Sequence, residues 1–258
     1  MKKNLNFLLI LSIVILVSGI NPKSQQNQQE DSLATWIMER VVEKSLENEK
    51  IKRQYITYDK YQTTEDLTKQ PSKITQEFFN VYGEDGNSTE RRFAIIDEDG
   101  KQKSVKEKGK KSNLDFSTML ADKYLPRMTF HKVREEVIND RGYFVITFEP
   151  RVPPDKLPSN DLYDKGINRS SGTIYVDMEK FYPWKFDSKL TSDFSAYLLG
   201  HAEDFQIHVE QEEQFGVVVP KEVIYTIKYK VLWITTYETK TSTYGNHRDL
   251  RIPAAQDK

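Results

Sequence analysis

The stretch VIYTIKYKVLWITT, residues 223–236, places Val223, Tyr225, Ile227, Tyr229, Val231 and Trp233 at every second position. Thr226, Lys228 and Lys230 fall between several of them. A period of two predicts an extended strand with one large apolar face and one lysine-bearing face. The same rhythm recurs over residues 51–62, 73–82, 90–97, 128–138, 142–150, 172–178, 183–190, 203–211 and 215–220. The breaks carry turn chemistry: GEDGN at 83–87, DEDG at 97–100 and NDRG at 139–142 each place a glycine where a hairpin favours positive φ. About ten short-linked strands predict a single antiparallel meander.

Two segments follow a helical period instead. In DSLATWIMERVVEKSLENEK, Leu33, Trp36, Ile37, Val41 and Val42 lie roughly along one face, with Asp31 or Ser32 as the expected cap. Residues 112–125 predict a second helix with Leu114, Met119, Leu120 and Leu125 turned inward, closed by Pro126. Residues 151–171, rich in proline and without a period, predict a long loop of the kind found at an opening or lid.

At the amino terminus, Lys2 and Lys3 precede an apolar run from Phe7 to Val17, and small residues follow at Ser18 and Gly19. That order predicts a secretory signal peptide over residues 1–19, an uncleaved anchor being the alternative. The polar, glutamine-rich residues 20–31 then read as a flexible leader, residues 32–250 as one domain and 251–258 as a tail. Export makes the expected location periplasmic, with outer-membrane association or an amino-terminal anchor as variants.

Composition narrows the functions. Charged residues make up 30% of the chain at a net charge of −1 with both signs mixed, so no basic stripe points to nucleic acid. The absence of cysteine excludes disulfides, thiol chemistry and cysteine-ligated zinc, and with it a lipidated amino-terminal cysteine. His201 and His208 in HAEDFQIH sit an odd number of positions apart, on opposite faces of an unbroken strand, which argues against a shared metal. The acidic turns complete no calcium loop, and no GxSxG, GxxxxGK[ST] or GxGxxG occurs. The chain therefore reads as no enzyme, with no cofactor and no metal; converging carboxylates of a hydrolase remain the variant that a sequence does not display.

A wide amphipathic sheet must curl around its own side chains or around a cavity. Phe144, Ile146 and Phe148 form a second one-sided strand, and Ile174 with Val176 a third. Together with Trp36, Tyr225, Ile227, Tyr229, Val231 and Trp233 they are the candidate lining of an apolar cavity, the alternative being a filled core. The order of elements resembles the LolA-like superfamily of lipoprotein-sorting proteins. The resemblance rests on a leading helix and the aromatic strand RQYITYDKYQTT, then FHKVREEVINDRGYFVITFEP, SSGTIYVD with Pro183, FQIHVEQ, FGVVVP and the closing TSTYGNHR. It implies a mainly β (α+β) fold: one strongly curved, incompletely closed antiparallel barrel of about eleven strands, with helices over the concave face. It also implies a monomeric, non-catalytic carrier of a lipid or an acylated lipoprotein, with an envelope membrane protein as a further partner. A cell-envelope scaffold whose core is filled is the competing expectation.

Overall fold

The computed structural model describes residues 22–252 apart from 85–86, 106–108, 112–115, 160 and 197–199; the expected signal peptide lies outside the described residues. Helix α1 spans Pro22–Tyr55. The chain then forms β1 (Ile56–Asp66), β2 (Lys73–Glu84), β3 (Asn87–Ile96) and the short β4 (Gln102–Ser104) and β5 (Lys110–Lys111). Helix α2, Phe116–Met119, runs on as a wider turn over Leu120–Tyr124. After it come β6 (Met128–Ile138), β7 (Arg141–Pro150), helix α3 (Leu162–Ile167), β8 (Ser170–Asp177) and β9 (Pro183–Leu190). The series ends with β10 (Phe194–Ala196), β11 (Gly200–Gln214), β12 (Val217–Val231) and β13 (Ile234–Asp249).

All pairings are antiparallel, in the order β4-β3-β2-β1-β13-β12-β11-β9-β8-β7-β6, with β10 on β11 and β5 on β3. The two ends, β4 and β6, do not pair with each other, so the curved sheet stays open. This is the antiparallel meander that the sequence pattern predicted, left incompletely closed as the resemblance implied.

The concave face carries the main core. Ala34, Ile37, Met38, Val41 and Val42 of α1, with Leu120 and Tyr124 of α2, pack onto Phe130, Ile146, Phe148, Ile174, Val176, Phe186, Ile207 and Val209. The buried stripe of α1 is thus centred on Ala34, Ile37, Met38, Val41, Ser45 and Asn48, spaced at three and four residues. Leu33 and Trp36, expected on that stripe, lie on its exposed flank. Nor is Asp31 a cap: the helix begins at Pro22, within the expected leader, and the Asp31 carboxylate pairs with His131 Nδ1 of β6 at 2.6 Å. Glutamine favours helix well enough for the polar segment to extend α1, and proline suits its first turn.

The far end of α1 is fixed by two contacts. The Asn48 amide donates to the Val218 carbonyl at 2.7 Å and accepts from the Val218 N–H at 2.8 Å. β13 begins pairing with β12 only at Glu222, so Asn48 satisfies a stretch of strand that has no neighbour on that side. Beside it, Gly83 of β2 lies so close to the helix that a Cβ there would overlap the Arg53 carbonyl oxygen. Gly83 therefore serves close approach, while the turn glycine of GEDGN, Gly86, lies outside the described residues. In NDRG the left-handed positions are Asn139 and Asp140, not the glycine; Gly100 of DEDG does take φ +74°.

A second core beneath this helix end joins Ile56, Tyr58, Val81, Val217 and Val219 to Tyr55 and Tyr244. His247 packs on Tyr58 with ring centroids 5.4 Å apart and planes tilted by 45°. Burial pushes its imidazole below the ordinary value, although Glu212 and the Pro220 carbonyl act the other way. Residues 151–171 do not form a loose lid. They fold into a 3-10 turn and α3, and the buried Asp164 carboxylate is held by Lys123 at 2.7 Å and Arg127 at 3.1 Å.

Two stability predictions follow from the α1 seat. Gly83→Ala should destabilise the fold by roughly 2 kcal/mol, because backbone must move to admit the methyl group. Asn48→Leu should cost about 2–3 kcal/mol by leaving the Val218 N–H and carbonyl unpaired. Urea unfolding measures both, and an unchanged midpoint for either would show that α1 is not seated by that contact. A third concerns pH. The unfolded chain takes a proton on His247 below about pH 6.5 while the folded one resists it, so this share of stability is present above that pH and lost on acidification. The drop in urea midpoint between about pH 7.5 and 5.5 should be smaller in His247→Phe than in the wild type.

Candidate functional site

Successive strands of the concave face align Phe186 with Val209, Val209 with Val223, and Ile207 with Tyr225. The next pairs along β11 and β12 are Phe205 with Ile227 and Ala202 with Tyr229. β12 therefore runs out of the packed core. Val223 and Tyr225 pack against it, Ile227 and Phe205 are half-buried, Tyr229 is 36% exposed and Val231 44%.

At β13 the character of the concave floor changes. Opposite Val223, Tyr225 and Ile227 stand Ser242, Lys240 and Glu238, and beyond them on β1 come Gln62, Thr64 and Asp66. Gln62 donates to Glu77 of β2 at 2.9 Å, Glu77 also pairs with Arg92 of β3, and Lys60 pairs with Glu90 at 2.8 Å while lying 4.6 Å from the Phe79 ring centroid. At the boundary, Lys240 binds Glu238 at 2.9 Å and sits 5.5 Å from the Tyr225 ring centroid. Burial raises the Tyr225 phenol against the pull of Lys240. Burial also opposes the charge on Lys240, but Glu238 and Tyr225 outweigh it and its ammonium is held above the ordinary value. One half of the floor is apolar, the other is a network of charges, and the dividing line follows the β12–β13 seam.

The expected lining divides accordingly. Ile146, Phe148, Ile174 and Val176 are buried under α1 and α2, whose side chains occupy the space above them; they form a filled core, not a chamber wall. Phe144 packs at the margin of that core, 6.3 Å from Phe181 between ring centroids. Trp36 lies on the outer side of α1, edge-on to Phe181 at 5.6 Å. Tyr225, Ile227 and Tyr229 remain together on the partly uncovered floor. Val231, the last residue of β12, keeps the alternation of Tyr229 but stands 44% exposed at the strand's end; Trp233 does not join them, because Leu232 and Trp233 form the turn into β13, and Trp233 is 80% exposed at the tip. A period of two carried through a hairpin turn gave Trp233 a face it does not share.

The charged half of the floor went unread in the sequence, although β1 holds the signal: its inward positions pass from Ile56 and Tyr58 to Lys60, Gln62 and Thr64. His201 and His208 do not lie on opposite faces of the strand, as an unbroken alternation would place them. A bulge between Ala202 and Asp204 resets the alternation, so His201 and His208 share the convex face. They lie about 20 Å apart along the strand, and each has its own partner: Asp193 for His201 at 2.9 Å and Asp187 for His208 at 2.6 Å. Asp187 and His208 border a shallow convex cleft of about 290 Å³ that also includes Thr173, Gln206 and Thr226.

No family model matches the chain, and no curated protein matches it in sequence. Among solved structures it is similar to a LolA superfamily protein from Nitrosomonas europaea, at 12% identity over 83% of this chain and 92% of that one, with a TM-score of 0.35. It is also similar to an outer-membrane lipoprotein-sorting protein domain from Vibrio parahaemolyticus, at 10% identity over 85% and 95% of the two chains and a TM-score of 0.37. A MucA/MucB complex from Pseudomonas aeruginosa follows at 12% identity, 83% and 94% coverage and a TM-score of 0.27. The first of these bears the family name that the order of sequence elements resembles.

Proposed function

We propose that this is an exported, non-catalytic binding protein for a lipid or the acyl portion of a lipoprotein. The ligand lies along the β12 side of the concave face rather than in a closed chamber. The observation that supports this is the seam itself. A half-covered apolar strip of Phe205, Tyr225, Ile227 and Tyr229 runs beside Lys240, Glu238 and Ser242. An amphipathic molecule meets both needs there, its hydrocarbon on the strip and its polar head against the charged wall. Each methylene so buried contributes about 0.8 kcal/mol, and Tyr225 and Tyr229 suit a boundary between hydrocarbon and polar groups. The protein acts as a monomer in the periplasm, and an envelope membrane protein is the partner for loading or release. A second reading draws on the filled core: with Ile37, Val41, Ile146 and Ile174 fully buried, the chain can serve as an interaction module whose partner is a protein.

Mass spectrometry of organic extracts from the protein purified out of a bacterial envelope separates the two. A stoichiometric lipid is expected in the wild type. Ile227→Glu, which puts a carboxylate on the strip at a half-exposed position, should lower its occupancy by about tenfold or more without unfolding the chain. No lipid above that in an unrelated exported control, together with no uptake of added fatty acid, would end the carrier reading in favour of the interaction module.

A further inference from the structure

The hairpin joining β12 to β13 ends in Val231, Leu232, Trp233 and Ile234, which are 44%, 45%, 80% and 61% exposed. Four consecutive large apolar side chains at a protruding tip are unusual on a polar chain, and none of them belongs to either core. The turn backbone makes the choice odder still. Leu232 takes φ +56°, a conformation that glycine or asparagine adopts cheaply and a leucine does not. Elsewhere in the same sheet Phe215, at the turn between β11 and β12, takes the same φ of +56°, but it is followed by Gly216 and lies beside the second core; the turn between β6 and β7 uses Asn139–Asp140. The tip thus combines a left-handed leucine with four exposed apolar side chains that neither core among the described residues takes up.

The residues behind the tip point to what meets those side chains. Tyr229 on β12 and Tyr237 on β13 flank the hairpin a few residues back, and Lys228 and Lys230 stand on the opposite face of β12 from Tyr229. Lys228 lies 5.8 Å from the Tyr237 ring centroid and pairs with Glu203 at 2.7 Å. An apolar end, then a belt of tyrosines and lysines, is the order in which side chains sort across a membrane interface. Three residues of strand span about 10 Å, close to the depth that interfacial segments reach into the headgroup and acyl boundary. A tip that projects also fits a fluid bilayer better than a preformed protein pocket.

We propose that the β12–β13 hairpin tip is a bilayer-contact device. Leu232, Trp233 and Ile234 enter the interface of a phospholipid membrane, and Lys230 rests at its phosphates. This goes beyond acyl binding at the seam and holds whether or not a lipid is carried there, although β12 would then lead from the membrane surface directly to the strip at Tyr225 and Ile227.

The test is co-sedimentation of the exported protein with vesicles of phosphatidylethanolamine and phosphatidylglycerol, alongside tryptophan quenching by lipids brominated in the upper acyl chain. Wild type should sediment and be quenched. Trp233→Lys should lose the quenching and lower vesicle partitioning by about tenfold or more. Val137→Lys, at a comparably exposed valine on β6, should change neither. Leu232→Gly should raise the urea midpoint, by relieving the turn, and at the same time weaken vesicle binding, an outcome that misfolding cannot produce. Fatty-acid uptake in solution should survive Trp233→Lys, whereas Ile227→Glu should lose uptake and keep vesicle binding. Equal partitioning of wild type, Trp233→Lys and Leu232→Gly, or no vesicle binding by any of them, would overturn the proposal.

Discussion

The placement of α1 across the concave face is the constraint on which the rest of the molecule depends. An open, curved sheet of this width exposes one long apolar surface unless something lies on it. α1 covers that surface from the β6 edge, where Asp31 meets His131, to the Asn48–Val218 contact and the Gly83 notch at the other end. Between these points Ile37, Met38 and Val41 are completely buried, each contributing about 1.5–3 kcal/mol. Asn48 fixes the helix along its axis, since a shift by one turn would leave the Val218 N–H and carbonyl without partners.

That placement determines what the sheet can still offer. Where α1 and α2 sit, the floor is sealed: Ile146, Ile174 and Phe186 meet helix side chains, and hydrocarbon could enter only by displacing them. Where the cover ends, β12 continues outward with Tyr225, Ile227 and Tyr229, and β13 brings Lys240 and Glu238 alongside. The amphipathic seam is a product of where the helix stops. Burial at this margin is incomplete, so Lys240 keeps its charge, with Glu238 and the Tyr225 ring compensating for the water it loses.

The two long carboxy-terminal hairpins put different demands on their turns. Phe215–Gly216 closes β11 onto β12 beside the second core, with Arg251 reaching the Phe215 carbonyl. Leu232–Trp233 closes β12 onto β13 away from both cores, with Leu232 45% and Trp233 80% exposed. One sheet thus presents a covered end, a half-covered strip and a bare apolar tip along a single strand.

Periodicity was sufficient for the architecture. The alternation at 128–138 and 183–190 marked β6 and β9 to the residue, and α1 and the Pro126 stop were legible from spacing and turn chemistry. A period of two records which residues share a face; it does not say which face is covered, nor where the strand turns. Ile146 and Ile227 therefore looked alike, although one is sealed beneath α1 and the other borders Lys240. Trp233 looked like a continuation of Tyr229, although Leu232 reverses the chain before it. The bulge at 202–204, Gly83's role and the pairing of Asn48 with Val218 all depend on neighbours more than twenty residues away in sequence. The chain's own pattern determined an antiparallel sheet with an apolar face. Only the packing of α1 across it, a contact between distant segments, decided which part of that face is core and which part is left for a ligand.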